Sequence, residues 1–134
     1  MPMNTEQNKR HAQEFLVATV AHDADRVAAL LTDDATYWVQ GKPHLFAPAG
    51  EKTKAEICRY MATPSVFAQG LKQKFGAITA EDDRVAIEME VDGIAPNGVH
   101  YNNTYHYLLV FHDGKIAKVK EYLDTSHAAE VFGG

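Results

Sequence analysis

The stretch VHYNNTYHYLLVFHDGKIAKVKEYLD, residues 99–124, decides the fold. A long run of aromatic and β-branched residues reads as one strand, HDGK as a tight turn, and IAKVKEYLD as the last strand. Upstream, RVAIEMEVDG (84–93) alternates cleanly. Val85, Ile87, Met89 and Val91 face one way, and Ala86, Glu88 and Glu90 face the other. LKQKFGAIT (71–79) alternates only loosely, and PNG (96–98) is a turn signal. The second half of the chain is therefore several antiparallel strands, and such a sheet has one face to cover.

The first half supplies the cover. Ala12, Phe15, Leu16 and Thr19 recur at helical spacing, with Asn4 or Thr5 placed to cap the start. AHDADRV breaks this helix, and Asp23 suits the N-cap of a short second one carrying Val27, Leu30 and Leu31. TDDA reads as a turn into ATYWVQG, a short strand, and GKPHLFAPAGE (41–51) reads as a loop. In Thr53-Lys54-Ala55-Glu56 the hydroxyl and the carboxylate can each satisfy a free helix N–H, which is a capping box. The helix it opens carries Ile57, Tyr60 and Met61 and stops before Pro64. A short helix after the last strand would have Asp124, Thr125 or Ser126 near its cap. Helices segregated from strands make the class α+β. If the sheet curves, its concave side leaves a hollow.

Composition excludes several function classes. A length of 134 residues predicts one domain, 1–134, large enough to bury a core without staples. The net charge is −5 and the basic residues are scattered, so nucleic acid is not an expected partner. No apolar run is long enough to span a bilayer, and residues 1–15 show no signal-peptide core. The single Cys58 has no internal disulfide partner, which predicts a reducing, cytoplasmic setting. His11, His22, His44, His100, His106, His112 and His127 share no convergent spacing, so no metal is expected. Neither a Gly-rich phosphate loop nor a Gly-x-Ser-x-Gly elbow is present, and no cofactor is expected.

EFLVATVAHDADRVAALLTDDATYWVQG (14–41) and YNNTYHYLLVFHDGKIAKVKEYLDT (101–125) resemble the nuclear-transport-factor-two-like superfamily. The branch they are most similar to is the SnoaL-like polyketide cyclase and ketosteroid isomerase-related group, and the likeness spans essentially the whole chain. It implies a cone: a strongly curved antiparallel sheet wrapped around three N-terminal helices, with an internal pocket open at one end. It also implies a homodimer formed through the outer sheet face.

Residue by residue, the catalytic sets of two relatives are broken. Phe15 stands where ketosteroid isomerases carry a tyrosine of the oxyanion hole. Val39 stands at the place of their general base, and His106 or Tyr107 at the place of their protonated aspartate. Arg84 and Ala86 match the Arg-x-Asp of limonene epoxide hydrolases without its carboxylate. Glu121 is the counterpart of the last-strand acid, the region where polyketide cyclases also place their base.

On the last strand Ala117, Val119, Glu121 and Leu123 share one parity, while Lys118, Lys120 and Tyr122 share the other; Ile116 breaks the pattern. Glu121 is therefore expected to face the pocket, where desolvation would suit it to acid or base work. On the long strand the bulkier odd set, Tyr101, Asn103, Tyr105, Tyr107, Leu109 and Phe111, is placed inside. The even set would bring in His106 instead, because a one-residue slip exchanges the faces. Candidate catalytic residues are Glu121, Tyr105, His106 and Asp124, the last either a pocket-rim acid or a helix cap. Candidate substrate-binding residues are Trp38, Tyr37, Asn103, Tyr107 and Phe15. His44, Leu45 and Phe46 lie on a loop placed to close over the mouth.

The expected activity is proton transfer on a small hydrophobic carbonyl or hydroxyl compound: isomerisation, cyclisation or dehydration without a cofactor. A His106–Glu121 pair would serve the dehydratase variant. The alternative is a non-catalytic module that uses the same pocket, or the dimer face, for binding alone.

Overall fold

The computed structural model describes residues 4–67 and 69–133. Helix α1 (Thr5–Ala21) starts where the Asn4 side chain accepts the Gln7 N–H. It ends at His22, whose φ of 54° breaks the helical path. Asp23 caps α2 (Ala24–Leu30) by accepting the Arg26 N–H. Strand β1 (Leu31–Val39) follows directly, so TDDA lies inside a strand rather than at a turn. The register shift between Leu31 and Thr36 shows why: the extra residues bulge out of the ladder.

After the 40–49 loop the chain adds β2 (Gly50–Thr53), a short edge strand whose sequence has no alternation to betray it. The capping box forms at Thr53 and Glu56 and opens α3 (Lys54–Met61). Then come β3 (Lys72–Glu81), β4 (Arg84–Ile94), β5 (His100–His112) and β6 (Lys115–Leu123). The β5–β6 turn holds Asp113 and Gly114 at φ 50° and 81°, the pair of positive values that a tight type I′ hairpin requires. A fourth helix, α4 (Thr125–Phe132), begins at Asp124 and packs on β5.

The sheet order is β2-β1-β6-β5-β4-β3. Here the all-antiparallel expectation needs correction, because β1 runs parallel to β6. The chain leaves β1, builds the other strands and returns beside it, so the intervening segment acts as one long crossover. The sheet is mixed, curved and not closed. Its bend has local causes, since register shifts also occur at Phe75/Ile78 in β3 and Val110/Phe111 between β5 and β6. A bulge bends its strand and adds twist. The first of these explains the loose alternation of LKQKFGAIT. The second explains Ile116: with Ala117 as the extra residue, Ile116 and Val119 both point inward and are fully buried.

The core sits on the concave face. Phe15, Leu16 and Val27 from the helices meet Val85, Ile87, Leu109, Ile116 and Val119 from the strands, all without exposure. Helix α1 packs on β3 and β4, and α3 on β1 and β2. None of the described helices is long and apolar enough to cross a membrane.

Candidate functional site

The helices do not fill the bent sheet. A cavity of about 770 Å³ remains under the inner faces of β1, β4, β5 and β6. That volume lies within the range of small-molecule sites, about 300–1,000 Å³. The wall is mostly apolar: Val39, Met89, Val91 and Leu123 from the sheet, Ile57 and Met61 from α3. Phe46, Phe67 and Phe132, from loops and α4, also line it. Phe46 is buried, whereas Leu45 next to it is 63% exposed, so this loop sends one side chain in and leaves the other at the surface.

The alternation of β5 settles the parity. Tyr101, Asn103, Tyr105, Tyr107, Leu109 and Phe111 are buried, and the even positions from Asn102 to His106 are exposed. Tyr107 pairs with Glu121 across the β5–β6 ladder, and Val39 pairs with Glu121 from the other side. Glu121 thus stands in the middle of the concave wall. Glu121 is half-buried there and lines the cavity.

Two phenols hold it. Tyr37 donates to Oε1 at 2.5 Å and Tyr107 donates to the same oxygen at 3.3 Å. Among the described residues no hydrogen bond reaches Oε2. Burial raises the Glu121 pKa above the ordinary carboxylate value; the bonds from Tyr37 and Tyr107 and the charge of Lys52 pull in the other direction. Burial also drives Tyr37, Tyr105 and Tyr107 well above the ordinary phenol range, with the Glu121 charge adding to it. All three therefore stay protonated donors across the physiological range. Tyr105 and Tyr107 lie with rings nearly parallel, 8° apart, and centroids 5.7 Å apart. Lys52 on β2 also reaches the cavity, its ammonium bonded to the carbonyls of Pro48 and Gly50. Desolvation lowers its pKa, against the pull of Glu121 and Glu56.

Chemically this is a carboxylate on the wall of a mostly apolar cavity, with one oxygen clamped and the other without a hydrogen bond among the described residues, beside neutral hydroxyl donors. Such a set can move a proton and polarise an oxygen without a metal ligand sphere. Among the described residues no three His, Cys, Asp or Glu side chains converge as a metal site.

Glu121, Tyr37, Tyr105 and Tyr107 are brought together; the other candidates are not. His106 is exposed on the outer face opposite Glu88 and Tyr122, since its neighbour Tyr105 points inward and alternate residues cannot both do so. Trp38 is excluded by the same rule, because Tyr37 takes the inner face of β1. Its ring meets Tyr122 edge-on at 5.3 Å, and the Lys120 ammonium lies 5.3 Å from its centroid. Asp124 is the N-cap of α4, accepting the His127 N–H at 3.2 Å. Phe15 is fully buried behind Tyr37, ring centroids 6.4 Å apart, and belongs to the core. Asn103 is buried but braces the wall from behind rather than lining it. Lys52 escaped sequence reasoning because β2 carries no strand pattern. Phe67 and Phe132 escaped it because a loop and a terminal helix give no sign of where they dock.

The sequence pattern of the family described as SnoaL-like domain matches residues 12–119. No curated protein matches the chain. Among solved structures, an NTF2-like protein of unknown function from Burkholderia pseudomallei superposes with a TM-score of 0.80 at 15% identity, covering 98% of this chain and 100% of that one. TerC, co-crystallised with polyporic acid, gives 0.79 at 16% identity over 96% and 99% of the two chains. An M. tuberculosis LEH-like epoxide hydrolase gives 0.72 at 20% identity over 96% and 90%. At these identities the likeness establishes the cone fold and leaves the chemistry to the residues.

Proposed function

The chain belongs to the SnoaL-like family, and from that premise we propose that it binds a small hydrophobic carbonyl or hydroxyl compound in the cone and moves a proton on it without a cofactor. The observation that carries this reading is the carboxylate of Glu121, half-buried on the wall of a mostly apolar cavity with Oε1 held by Tyr37 and Tyr107. Oε2 takes a proton from the carbon α to the substrate carbonyl, and the electron pair of that C–H bond moves onto the carbonyl oxygen as an enolate. The phenols keep the carboxylate from rotating away, and a neutral tyrosine hydroxyl stabilises the charge that develops on the oxygen. Isomerisation, aldol-type cyclisation and dehydration can all begin with this step. The ligand-bound TerC structure supports a small-molecule occupant for such a cone.

The test is hydrogen–deuterium exchange at the methyl group of methyl naphthyl ketone in heavy water. Wild-type protein accelerates exchange, and Glu121→Gln reduces the acceleration by about 10²-fold or more, the typical contribution of a positioned base. Exchange unchanged in Glu121→Gln removes the base from this account.

A second reading, binding without chemistry, is favoured by one observation: Phe15 and Val39, at the places of the isomerase's oxyanion-hole tyrosine and general base, are both buried and apolar. It predicts that a bound ketone keeps all its protium after long incubation. The outer sheet face, where Trp38, Lys120 and Tyr122 cluster, is proposed as the homodimer surface. A cytoplasmic setting is proposed from the lone Cys58.

A further inference from the structure

Tyr105 is held by a hydrogen-bond chain whose direction is set outside the cavity. The chain begins at the backbone of Asp124, on the β6–α4 junction. Asn103 Oδ1 accepts the Asp124 N–H at 3.2 Å, and Asn103 Nδ2 donates to the Asp124 carbonyl at 3.0 Å. A backbone N–H can only donate and a carbonyl can only accept, so the amide cannot flip. The same Nδ2 carries a second hydrogen, which it donates to the Tyr101 hydroxyl at 2.9 Å. Tyr101 is fully buried, and among the described residues the one acceptor left for its proton is the Tyr105 hydroxyl at 2.5 Å. Tyr101 therefore donates to Tyr105. The Tyr105 proton is then left without a protein acceptor among the described residues, and Tyr105 lines the cavity whereas Tyr101 does not.

We propose that Asn103 and Tyr101 are positioning residues that fix Tyr105 as a hydrogen-bond donor into the cavity, so that the site selects ligands presenting an acceptor oxygen, a carbonyl above all, beside the Glu121 carboxylate. This rests on reading the cavity as a ligand site. It supplies a direction that the ring positions alone do not. Tyr105 sits opposite Leu123 and Tyr107 opposite Glu121, so the donor lies one inward-facing step along the wall from the base. The two poles are unlike. Tyr105 offers a proton to an oxygen, while Oε2 of Glu121 offers a lone pair to a C–H or O–H.

The test compares three probes of nearly one shape: methyl naphthyl ketone, isopropenyl naphthalene as its methylene isostere, and the corresponding secondary alcohol. Affinities come from fluorescence titration, and the carbonyl stretch of the bound ketone from infrared difference spectra. Wild type binds the ketone about tenfold more tightly than the isostere, the value of one well-placed hydrogen bond, and the bound carbonyl stretch shifts to lower frequency. Tyr105→Phe abolishes both the preference and the shift. Asn103→Asp reverses the chain: the protonated carboxyl donates to the Asp124 carbonyl while its hydroxyl oxygen accepts from Tyr101, Tyr101 accepts from Tyr105, and Tyr105 becomes an acceptor. That variant prefers the alcohol to the ketone.

Tyr101→Phe disturbs the packing less. It frees the Tyr105 proton to rotate, so the ketone preference drops several-fold while isostere binding stays level. A purely structural role would weaken ketone and isostere together. The proposal is overturned if wild type shows no ketone preference, including by taking up neither compound, or if the preference survives in both Asn103→Asp and Tyr101→Phe. Glu121→Gln separates the two ideas. Lost exchange with an unchanged ketone preference keeps both, and exchange that is indifferent to Glu121 removes the base while leaving the donor chain standing.

Discussion

Replacing Glu121 by glutamine keeps the side chain's size and an oxygen for Tyr37 but removes its charge. Two opposed magnitudes set the stability of the wild-type arrangement. A hydrogen bond to a charged acceptor contributes about 1.5–3 kcal/mol. Only the Tyr37 contact, at 2.5 Å, is short enough to count in full, because Tyr107 stands at 3.3 Å. Against this, the effective penalty for burying an ion is several kcal/mol. Desolvation wins, which is why Glu121 holds its proton above the ordinary range. The sign for stability follows. A carboxyl whose folded pKa exceeds its unfolded one binds its proton more tightly in the native state. Its contribution is fully favourable below the unfolded pKa and is lost as pH rises through the folded pKa.

Glutamine suffers no such loss. Glu121→Gln should be more stable than wild type by about 1–2 kcal/mol at about pH 8, within the range common for a single stabilising substitution. With about 2.1 cal/mol/K of unfolding entropy per residue over 134 residues, 1 kcal/mol corresponds to about 4 °C in Tm. Differential scanning calorimetry across pH should therefore show the variant melting about 4–8 °C higher in alkaline buffer. The gap should close as the pH is lowered and wild type takes up its proton. A gap independent of pH, or a variant less stable than wild type at alkaline pH, would refute the claim that this carboxylate is desolvated.

Other perturbations separate the roles further. Tyr37→Phe removes a bond that lowers the Glu121 pKa, so the rise of exchange activity with pH should move to a higher midpoint; an unmoved profile would mean that the short contact does not act on the carboxylate. His106→Ala should leave exchange and its pH profile unchanged because the ring lies on the outer face, and a lost limb in that profile would place histidine back in the chemistry. Asp124→Ala should cost about 1 kcal/mol through the lost N-cap, read as a lower Tm, yet preserve the ketone preference because Asn103 uses the Asp124 backbone. Trp38→Ala together with Tyr122→Ala should weaken self-association in sedimentation while leaving cavity binding intact.

Alternation carried most of what the sequence disclosed. Val85 to Val91 and the odd positions of β5 turned inward as their bulk and polarity required, and Glu121 followed from the lysines on the opposite parity. The same rule limits the candidate site. Tyr37 and Trp38 are adjacent, as are Tyr105 and His106, so within each pair one residue faces the cavity and the other faces away. The bulge at Ala117 was visible only as Ile116 breaking its pattern, since one extra residue in a ladder resembles noise in the sequence. The parallel pairing of β1 with β6 left no local mark at all. It depends on a contact between residues about 80 positions apart, which no periodicity encodes. Asn103 was correctly expected inside and in need of partners, but those partners are backbone atoms, which composition cannot name.

The central claim is best tested by carbon-13 NMR titration of the glutamate carboxyl signals, with Glu121→Gln identifying the resonance. The account predicts that Glu121 titrates above the ordinary glutamate value of 4.5 and that its midpoint rises further in Tyr37→Phe. A Glu121 signal titrating at or below that value would contradict it, since such a carboxylate would be solvated or paired and not desolvated on the cavity wall for proton transfer.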